Sequence, residues 1–323
     1  MKKLSACITK ISTPTMVLCA LLFATKITQA HDQHISFDTS SIIGRWDITM
    51  HMADREVPAW LEVQRSGLRT LVGHFVGAGG SARPISKVNF SDGKISFSIP
   101  PQWEVGSDLS FEALLQGDSL VGTIVLPNGK SYNCSAARAP SLKRETQPSW
   151  GKPIHIFNGK DLTGWHATGE KNQWKAEGGI LKSEKSGSNI VTDQTFNDFK
   201  LHIEFRYPKG SNSGVYLRGR YEVQIEDESD SEPYRNVFSG IYGFLSPTEI
   251  TARKPGEWNT YDITLVGRFV TVVANGKTVI CNQEIPGITG GALNSREGEP
   301  GPIYLQGDHG PIEYRNIVLT PAK

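Results

Sequence analysis

The sequence predicts an all-β protein with two units in tandem, a smaller antiparallel β domain and then a larger two-sheet jelly roll. Short apolar runs with a period of two recur along most of the chain, the pattern of half-buried strands. Turn pairs punctuate them: Asp92-Gly93, Gly117-Asp118, Asn128-Gly129 and Asn275-Gly276. Such pairs close tight hairpins because their residues tolerate positive φ. No stretch of the first unit keeps an amphipathic helical period for three turns, and the second unit has little helix either. The 33 glycines and 18 prolines among 323 residues suit a turn-rich architecture.

Residues 1–30 read as a secretory signal. Lys2, Lys3 and Lys10 form a basic start, Met16–Ala24 forms an apolar core, and Thr28-Gln29-Ala30 offers small residues for cleavage. The apolar core falls well short of the roughly 20 residues that span a bilayer, so no integral membrane segment is expected after cleavage. Leu18 precedes Cys19, which does not suit lipid attachment. The expected location is periplasmic or extracellular. The formal net charge is +1, from 34 basic and 33 acidic side chains. The first 30 residues hold four of the lysines and no acid, which leaves a charge of −3 for the remainder. Nucleic-acid binding is therefore not expected. Cys134 and Cys281 are the cysteines beyond residue 30. They fit no zinc spacing, and two separate thiols are expected rather than a bridge.

The smaller domain spans 41–142, a barrel or a sandwich. Its strand candidates are Trp60–Val63, Leu71–Val76, Lys94–Ile99, Leu109–Leu115 and Ser119–Leu126. Gly77-Ala78-Gly79-Gly80-Ser81-Ala82 matches G-x-G-x-x-A, but Arg83-Pro84 and a strand pattern follow where a dinucleotide site needs a helix. It reads as a glycine-rich turn. Residues 143–152 form a linker rich in proline and charge. The larger domain spans 153–323. Its clearest strand is Phe199–Tyr207, followed by Val215–Arg218, Tyr221–Asp227, Tyr261–Val266, Phe269–Ala274 and Lys277–Cys281. Ile303–Gln306 and Glu313–Leu319 close the chain.

The polar sides of the central strands carry unusual residues. His202, Glu204 and Arg206 share one parity, Tyr216 and Arg218 sit on the next strand, and Glu222, Gln224 and Glu226 alternate with Tyr221, Val223 and Ile225. Carboxylates at i and i+4 lie about 13 Å apart at Cα by the strand rise, so their carboxyl groups can lean toward one sugar ring. A solvated, ion-paired sheet face is the other reading of the same residues. Trp258 ends a proline-glycine loop, and Gln306-Gly307-Asp308-His309-Gly310 presents His309 on a loop tip. The sequence contains no H-E-x-x-H, G-x-x-x-x-G-K-[ST], G-x-S-x-G or C-x-x-C motif.

Taken in order, the motifs resemble a known family. Phe157-Asn158-Gly159-Lys160-Asp161-Leu162-Thr163-Gly164-Trp165 is similar to the opening of the 3-keto-disaccharide hydrolase domain family. Trp174, Asp198-Phe199, Asn212-Ser213-Gly214, Arg218, Tyr221-Glu222-Val223-Gln224-Ile225 and Gly240-Ile241-Tyr242 follow in that family's order. So do Gly256-Glu257-Trp258-Asn259, Asn275-Gly276, Ile303-Tyr304-Leu305-Gln306 and Tyr314-Arg315-Asn316-Ile317. The resemblance covers 153–323 and does not reach 41–142. It implies a concanavalin A-like jelly roll that cleaves 3-keto-glycosides or 3-keto-disaccharides, with a separate sugar 3-dehydrogenase supplying the substrate. A C3 ketone acidifies the C2 proton, so a base, an acid and a donor to the enolate oxygen suffice for β-elimination, with or without hydration. No redox cofactor is expected.

In that reading Glu222 or Glu204 is the base, Arg218 stabilises the enolate, and His309 is the acid. Gln224 and Glu226 hold sugar hydroxyls, while Arg206, Asp227, Tyr242, Trp258 and Gln306 complete the wall. A divalent metal could polarise the ketone with His202, Glu204 and Glu222 as ligands, although their spacing is not a standard one. Two alternatives stand beside this one: a conventional glycoside hydrolase acting on unoxidised glycan, and a non-catalytic carbohydrate-binding module.

Overall fold

The structure is a computed structural model that describes residues 39–227 and 236–323. The expected signal segment lies outside the described residues. Eight consecutive strands form the first unit: β1 (Gly44–His51), β2 (Glu56–Ser66), β3 (Thr70–Val76), β4 (Arg83–Ser91), β5 (Lys94–Ile99), β6 (Leu109–Gln116), β7 (Ser119–Val125) and β8 (Ser131–Arg138). Each pairs antiparallel with its successor, and β8 returns to β1 with Trp46 opposite Arg138, closing a barrel. Closure leaves no strand edge unpaired. Alternate residues point inward, and Ile48, Leu61, Phe75, Ile95, Phe97, Phe111 and Ile124 fill the interior. Asp92-Gly93 turns β4 into β5 with φ of 52° and 74°, as its composition predicts. Sequence reading gave the middle strands and left β1, β4 and β8 unassigned.

The second unit is a sandwich. Its strands are β9 (Ile154–His155), β10 (Trp165–Ala167), β11 (Trp174–Glu177), β12 (Ile180–Ser183), β13 (Ile190–Thr192), β14 (Phe199–Arg206) and β15 (Asn212–Leu217). β16 (Tyr221–Glu226), β17 (Asn259–Val266), β18 (Phe269–Ala274), β19 (Lys277–Glu284), β20 (Tyr304–Leu305) and β21 (Ile312–Pro321) complete it. One sheet has the order β10-β13-β20-β15-β16; the other runs β11-β12-β21-β14-β17-β18-β19, with β9 on β21. Between them lies one apolar core, to which β14 sends Phe199, Leu201, Ile203 and Phe205 while β15 and β16 send Val215, Leu217, Tyr221, Val223 and Ile225. This is the all-β jelly roll that the strand patterns predict. Among the described residues no helix is long and apolar enough to cross a membrane.

The residues expected as a linker are strapped to the sandwich. Arg144 binds Asp198 at 2.7 Å and Trp150 bridges Ala322, while just before them Arg268 donates to the Pro140 carbonyl at 3.0 Å. The barrel in turn packs on the sandwich. Trp60 of β2 joins the sandwich core and meets Phe244 edge-on at 5.2 Å. Cys134 is a buried thiol pushed up to about 11 by burial, and Cys281 is an exposed one.

One interface cluster carries a stability prediction. Glu297, fully buried, accepts from Arg268 and from the Tyr221 hydroxyl, both at 2.5 Å. Asp47 of β1 is buried beside it with Oδ1 unpartnered. Burial first, and then the Glu297 charge, push its carboxyl to about 8. The folded state then binds the proton more tightly than the unfolded chain. Stability is greatest below the ordinary carboxylate range and falls as pH rises toward 8. Asp47→Asn should melt about 2–4 °C above the wild type at pH 9 and close to it at pH 4. Equal shifts at both pH values would contradict this.

Candidate functional site

The candidate site lies on the face of the five-stranded sheet turned away from the core. Cross-strand register builds its floor in rows. In the first row Tyr304, Tyr216 and Glu222 stand side by side on β20, β15 and β16. In the second, Gly214 pairs with Gln224 and its carbonyl accepts from the Gln306 amide at 3.0 Å. Asn212 pairs with Glu226 in the third. These residues alternate with the core-facing set, so they would meet solvent in a bare sandwich. Here they are covered. The 237–245 segment caps the β16 edge, with Tyr242 donating its amide to the Glu222 carbonyl. Gly290-Gly291 and the barrel's Ala78, Gly79, Gly80 and Trp103 close the other side. The pocket, open to the surface on one side, measures about 260 Å³ and also takes in Asp308 and His309.

Burial governs the electrostatics. Glu222 is 3 % exposed, and desolvation pushes its carboxyl up to about 8 against the Tyr216 hydrogen bond, with Asp308 and Glu226 adding to the rise. Hydrogen-bond geometry leads to the same protonation state. The Tyr216 hydroxyl lies 2.8 Å from Glu222 Oε2 and 3.0 Å from the Gly290 carbonyl oxygen. A carbonyl only accepts and a tyrosine has one proton to give. Both contacts are satisfied when Tyr216 donates to Gly290 and a protonated Glu222 donates to Tyr216. A tilted stack on Tyr304, 4.3 Å between centroids at 15°, fixes the Tyr216 ring.

His309 and Asp308 form the second titrating pair. Their Nδ1 and Oδ1 atoms are 2.7 Å apart. A carboxylate accepts only, so Nδ1 carries a proton, and in the neutral imidazole the lone pair is on Nε2. The bond to Asp308 raises the imidazole above its ordinary value against the effect of burial. Burial pushes Asp308 up, but the His309 and Asn189 contacts hold it below the carboxylate range. Asn189 also donates to the Tyr304 hydroxyl at 2.7 Å. Between the two pairs sit Gln224 and Gln306, 2 % and 7 % exposed, whose side-chain carbonyl oxygens have no partner among the described residues. Such acceptors are costly unless a ligand hydroxyl reaches them.

Gly214 makes room for Glu222. A Cβ there would lie 2.2 Å from Glu222 Oε1 and 2.8 Å from its Cγ. Gly214→Ala should therefore displace the carboxyl and lower turnover at least tenfold while the far-ultraviolet spectrum stays that of the wild type. Retained turnover would show that the Glu222 position is unimportant.

The structure thus gathers Glu222, Gln224, Tyr242, Gln306 and His309 into one pocket and separates the rest of the expected set. Glu226 borders the pocket, accepting from Gln224 Nε2 at 3.3 Å. Glu204 and Arg206, with His202, belong to β14 in the other sheet and face the opposite side of the sandwich, because the core lies between the two sheets. There Glu204 accepts from Arg315 at 2.7 Å and from Asn316 at 2.9 Å. These contacts hold it below the usual range despite burial. Arg206 pairs with Glu313. Trp258 carries the Arg206 and Arg315 guanidiniums over its ring at 4.7 and 3.9 Å, so it offers no sugar platform in this pocket. Arg218 occupies a left-handed turn at φ 53° and points into the core, donating to Tyr221 and the Gly267 carbonyl. It cannot face an enolate beside Glu222. Asp227 accepts the Gly210 amide at 2.6 Å and pins that turn. The suggested metal set fails for the same reason: His202 and Glu204 are neighbours, and Glu222 is across the core from them. Among the described residues no other group of three metal-ligating side chains converges.

Sequence reasoning missed Tyr304, Asp308, Asn212 and all the barrel residues as members of the site. Asp308 beside His309, and Asn212 within Asn212-Ser213-Gly214, carried a local signal. Trp103 carried none.

Residues 152–320 match the family model described as a 3-keto-alpha-glucoside-1,2-lyase-like domain. A 3-keto-disaccharide hydrolase of Bacteroides thetaiotaomicron is 28 % identical over an alignment 97 positions long that covers 26 % of this chain. The chain spans about a third (33 %) of that relative's length. Two solved structures from Parabacteroides distasonis, described as candidate glycosyl hydrolases, align over most of their own length. One is 30 % identical with a TM-score of 0.45, covering 57 % of this chain and 96 % of its own. The other is 19 % identical with a TM-score of 0.46, covering 53 % and 94 %.

Proposed function

The chain belongs to the 3-keto-alpha-glucoside-1,2-lyase-like family through residues 152–320, and from that premise we propose that its buried pocket cleaves 3-keto-glycosides by proton transfer between His309 and Glu222. A hydrolase acting on carbohydrate is what the family and its relatives support in general terms. The finer reading rests on one observation: two titrating groups, Glu222 and His309, line one pocket with two buried amide carbonyls that have no partner among the described residues.

The assignment of roles reverses the one expected from sequence. His309 Nε2 holds a lone pair and takes the C2 proton, and the electron pair moves onto the C3 ketone oxygen as an enolate. As the ketone re-forms, C1–O breaks, and the leaving oxygen takes the proton that Glu222 holds against Tyr216. The products are a 2-hydroxy-3-keto-glucal and the free alcohol. His309 returns its proton to Glu222 through solvent. Water adding across the double bond gives the 3-keto sugar and makes the outcome a net hydrolysis. Gln224 and Gln306 accept ring hydroxyls. No redox cofactor enters, because oxidation at C3 precedes binding and is the work of a separate sugar dehydrogenase. The basic and apolar pattern of residues 1–30 supports an exported enzyme that meets its substrate in the periplasm or outside the cell.

The test is a paired assay on an aryl glucoside and its 3-keto derivative, following released aglycone and enone absorbance with and without chelator. Release from the keto substrate alone is the expected result. Release from the unoxidised glucoside would favour a conventional glycosidase, and binding without turnover of either would favour a carbohydrate-binding module.

A further inference from the structure

The barrel has an interior cavity of its own, of about 160 Å³, at the end nearest the candidate site. Met50, Ala59, Phe75, Ile99, Leu109 and Ile124 line it, each an inward residue of a different strand, together with the polar side chains of Arg83, Gln102, Glu104 and Asn128. It shares Ala78, Gly79 and Trp103 with the Glu222 pocket, so the two spaces adjoin. A cavity of about 150 Å³ is enough to hold a benzene ring. The partition is built with care. The Gly80 and Gly290 backbones touch so closely that a Cβ on Gly290 would sit 2.4 Å from the Gly80 carbonyl oxygen. Gln102 ties the Trp103 loop to the glycine-rich turn through two hydrogen bonds with Ser81, of 3.2 and 3.3 Å. At the loop's other end Ser107 bonds the Pro127 carbonyl at 3.1 Å. Yet Trp103 leaves its indole 56 % exposed on this braced loop, where an unliganded surface gains nothing from a large apolar group.

We propose that the barrel mouth is the leaving-group site, and that it selects keto-glycosides whose aglycone is an apolar group the size of one aromatic ring, with Trp103 packed against it. The inference rests on the proposed cleavage, since the sugar must occupy the Glu222 pocket for its C1 substituent to reach the barrel. It gives the first domain a catalytic purpose that the family match at 152–320 does not cover.

Benzyl and methyl 3-keto-glucosides test it, since both leave as alkoxides of similar basicity and differ mainly in apolar area. The wild type should favour the benzyl substrate about tenfold or more in kcat/KM. Trp103→Ala should bring that ratio near one, as should Gly79→Leu, whose new side chain starts where no atom lies within 4 Å. A ratio near one in the wild type, or one that both variants leave intact, overturns the proposal while leaving the cleavage reaction standing. Benzyl alcohol alone supplies the readout free of turnover. It should quench tryptophan fluorescence saturably in the wild type and not in Trp103→Ala. Binding of the alcohol with both glucosides uncleaved would retain the cavity and sink the reaction, and no saturable signal would sink the cavity itself.

Discussion

Glu222→Gln should lower kcat about 10²–10⁴-fold on a 3-keto-glycoside, the usual cost of removing a general acid, and should leave the fold intact. The amide suits the hydrogen-bond chain as the protonated acid does: its NH₂ donates to Tyr216, and Tyr216 still donates to Gly290. Stability provides an independent check on protonation. The Glu222 carboxyl is pushed to about 8 by burial, so the wild type is less stable above that pH than below its unfolded value near 4, and stability falls as pH rises between them. The variant lacks this titration. Its melting temperature should match the wild type at pH 5 and exceed it at pH 9. A variant that loses activity and also melts lower than the wild type at pH 9 would mean that folding favours the ionised Glu222 rather than the protonated one, and the acid role would fail with it.

His309→Ala should cost a comparable factor, and the pH profile separates the two residues. Activity requires a neutral His309 and a protonated Glu222. The rising limb should therefore lie above the ordinary imidazole range, where the Asp308 bond sets it, and the falling limb should lie near 8. The bell is narrow. Glu222→Gln removes the alkaline limb from what activity remains, and His309→Ala removes the acid limb. Asp308→Asn should move the acid limb to lower pH, since it removes the carboxylate that raises the imidazole. If His309→Ala instead abolished the alkaline limb, the two roles would have to be exchanged.

Much of the architecture was legible because strands announce themselves locally. The alternation from Phe199 to Tyr207 placed β14 to within one residue at its end, and Asn275-Gly276 placed the β18–β19 hairpin with φ of 52° and 81°. The Glu222-x-Gln224-x-Glu226 row was legible too, because period two puts those side chains opposite Tyr221, Val223 and Ile225 whatever the fold. The glycine-rich turn at 77–82 was rightly set apart from a dinucleotide loop by the strand pattern after it. Its role against Gly290 was invisible, because the partner lies more than two hundred residues away.

Parity within a strand says that two side chains share a face of that strand, and it is silent on which sheet the strand joins. The sequence by itself therefore determined the longer strands, the hairpin turns, the jelly roll and the shared facing of Glu222, Gln224 and Glu226. Only the tertiary structure decided that β14 and β16 fall in different sheets. That sends Glu204, Arg206 and Trp258 to one side of the core and Glu222 to the other. It alone decided that Arg218 turns inward, that Tyr216 stands opposite Glu222, and that the barrel forms one wall of the pocket. The physical reason is that a proton's hold on Glu222 depends on how much water reaches it, and water is excluded by chains that meet only after folding.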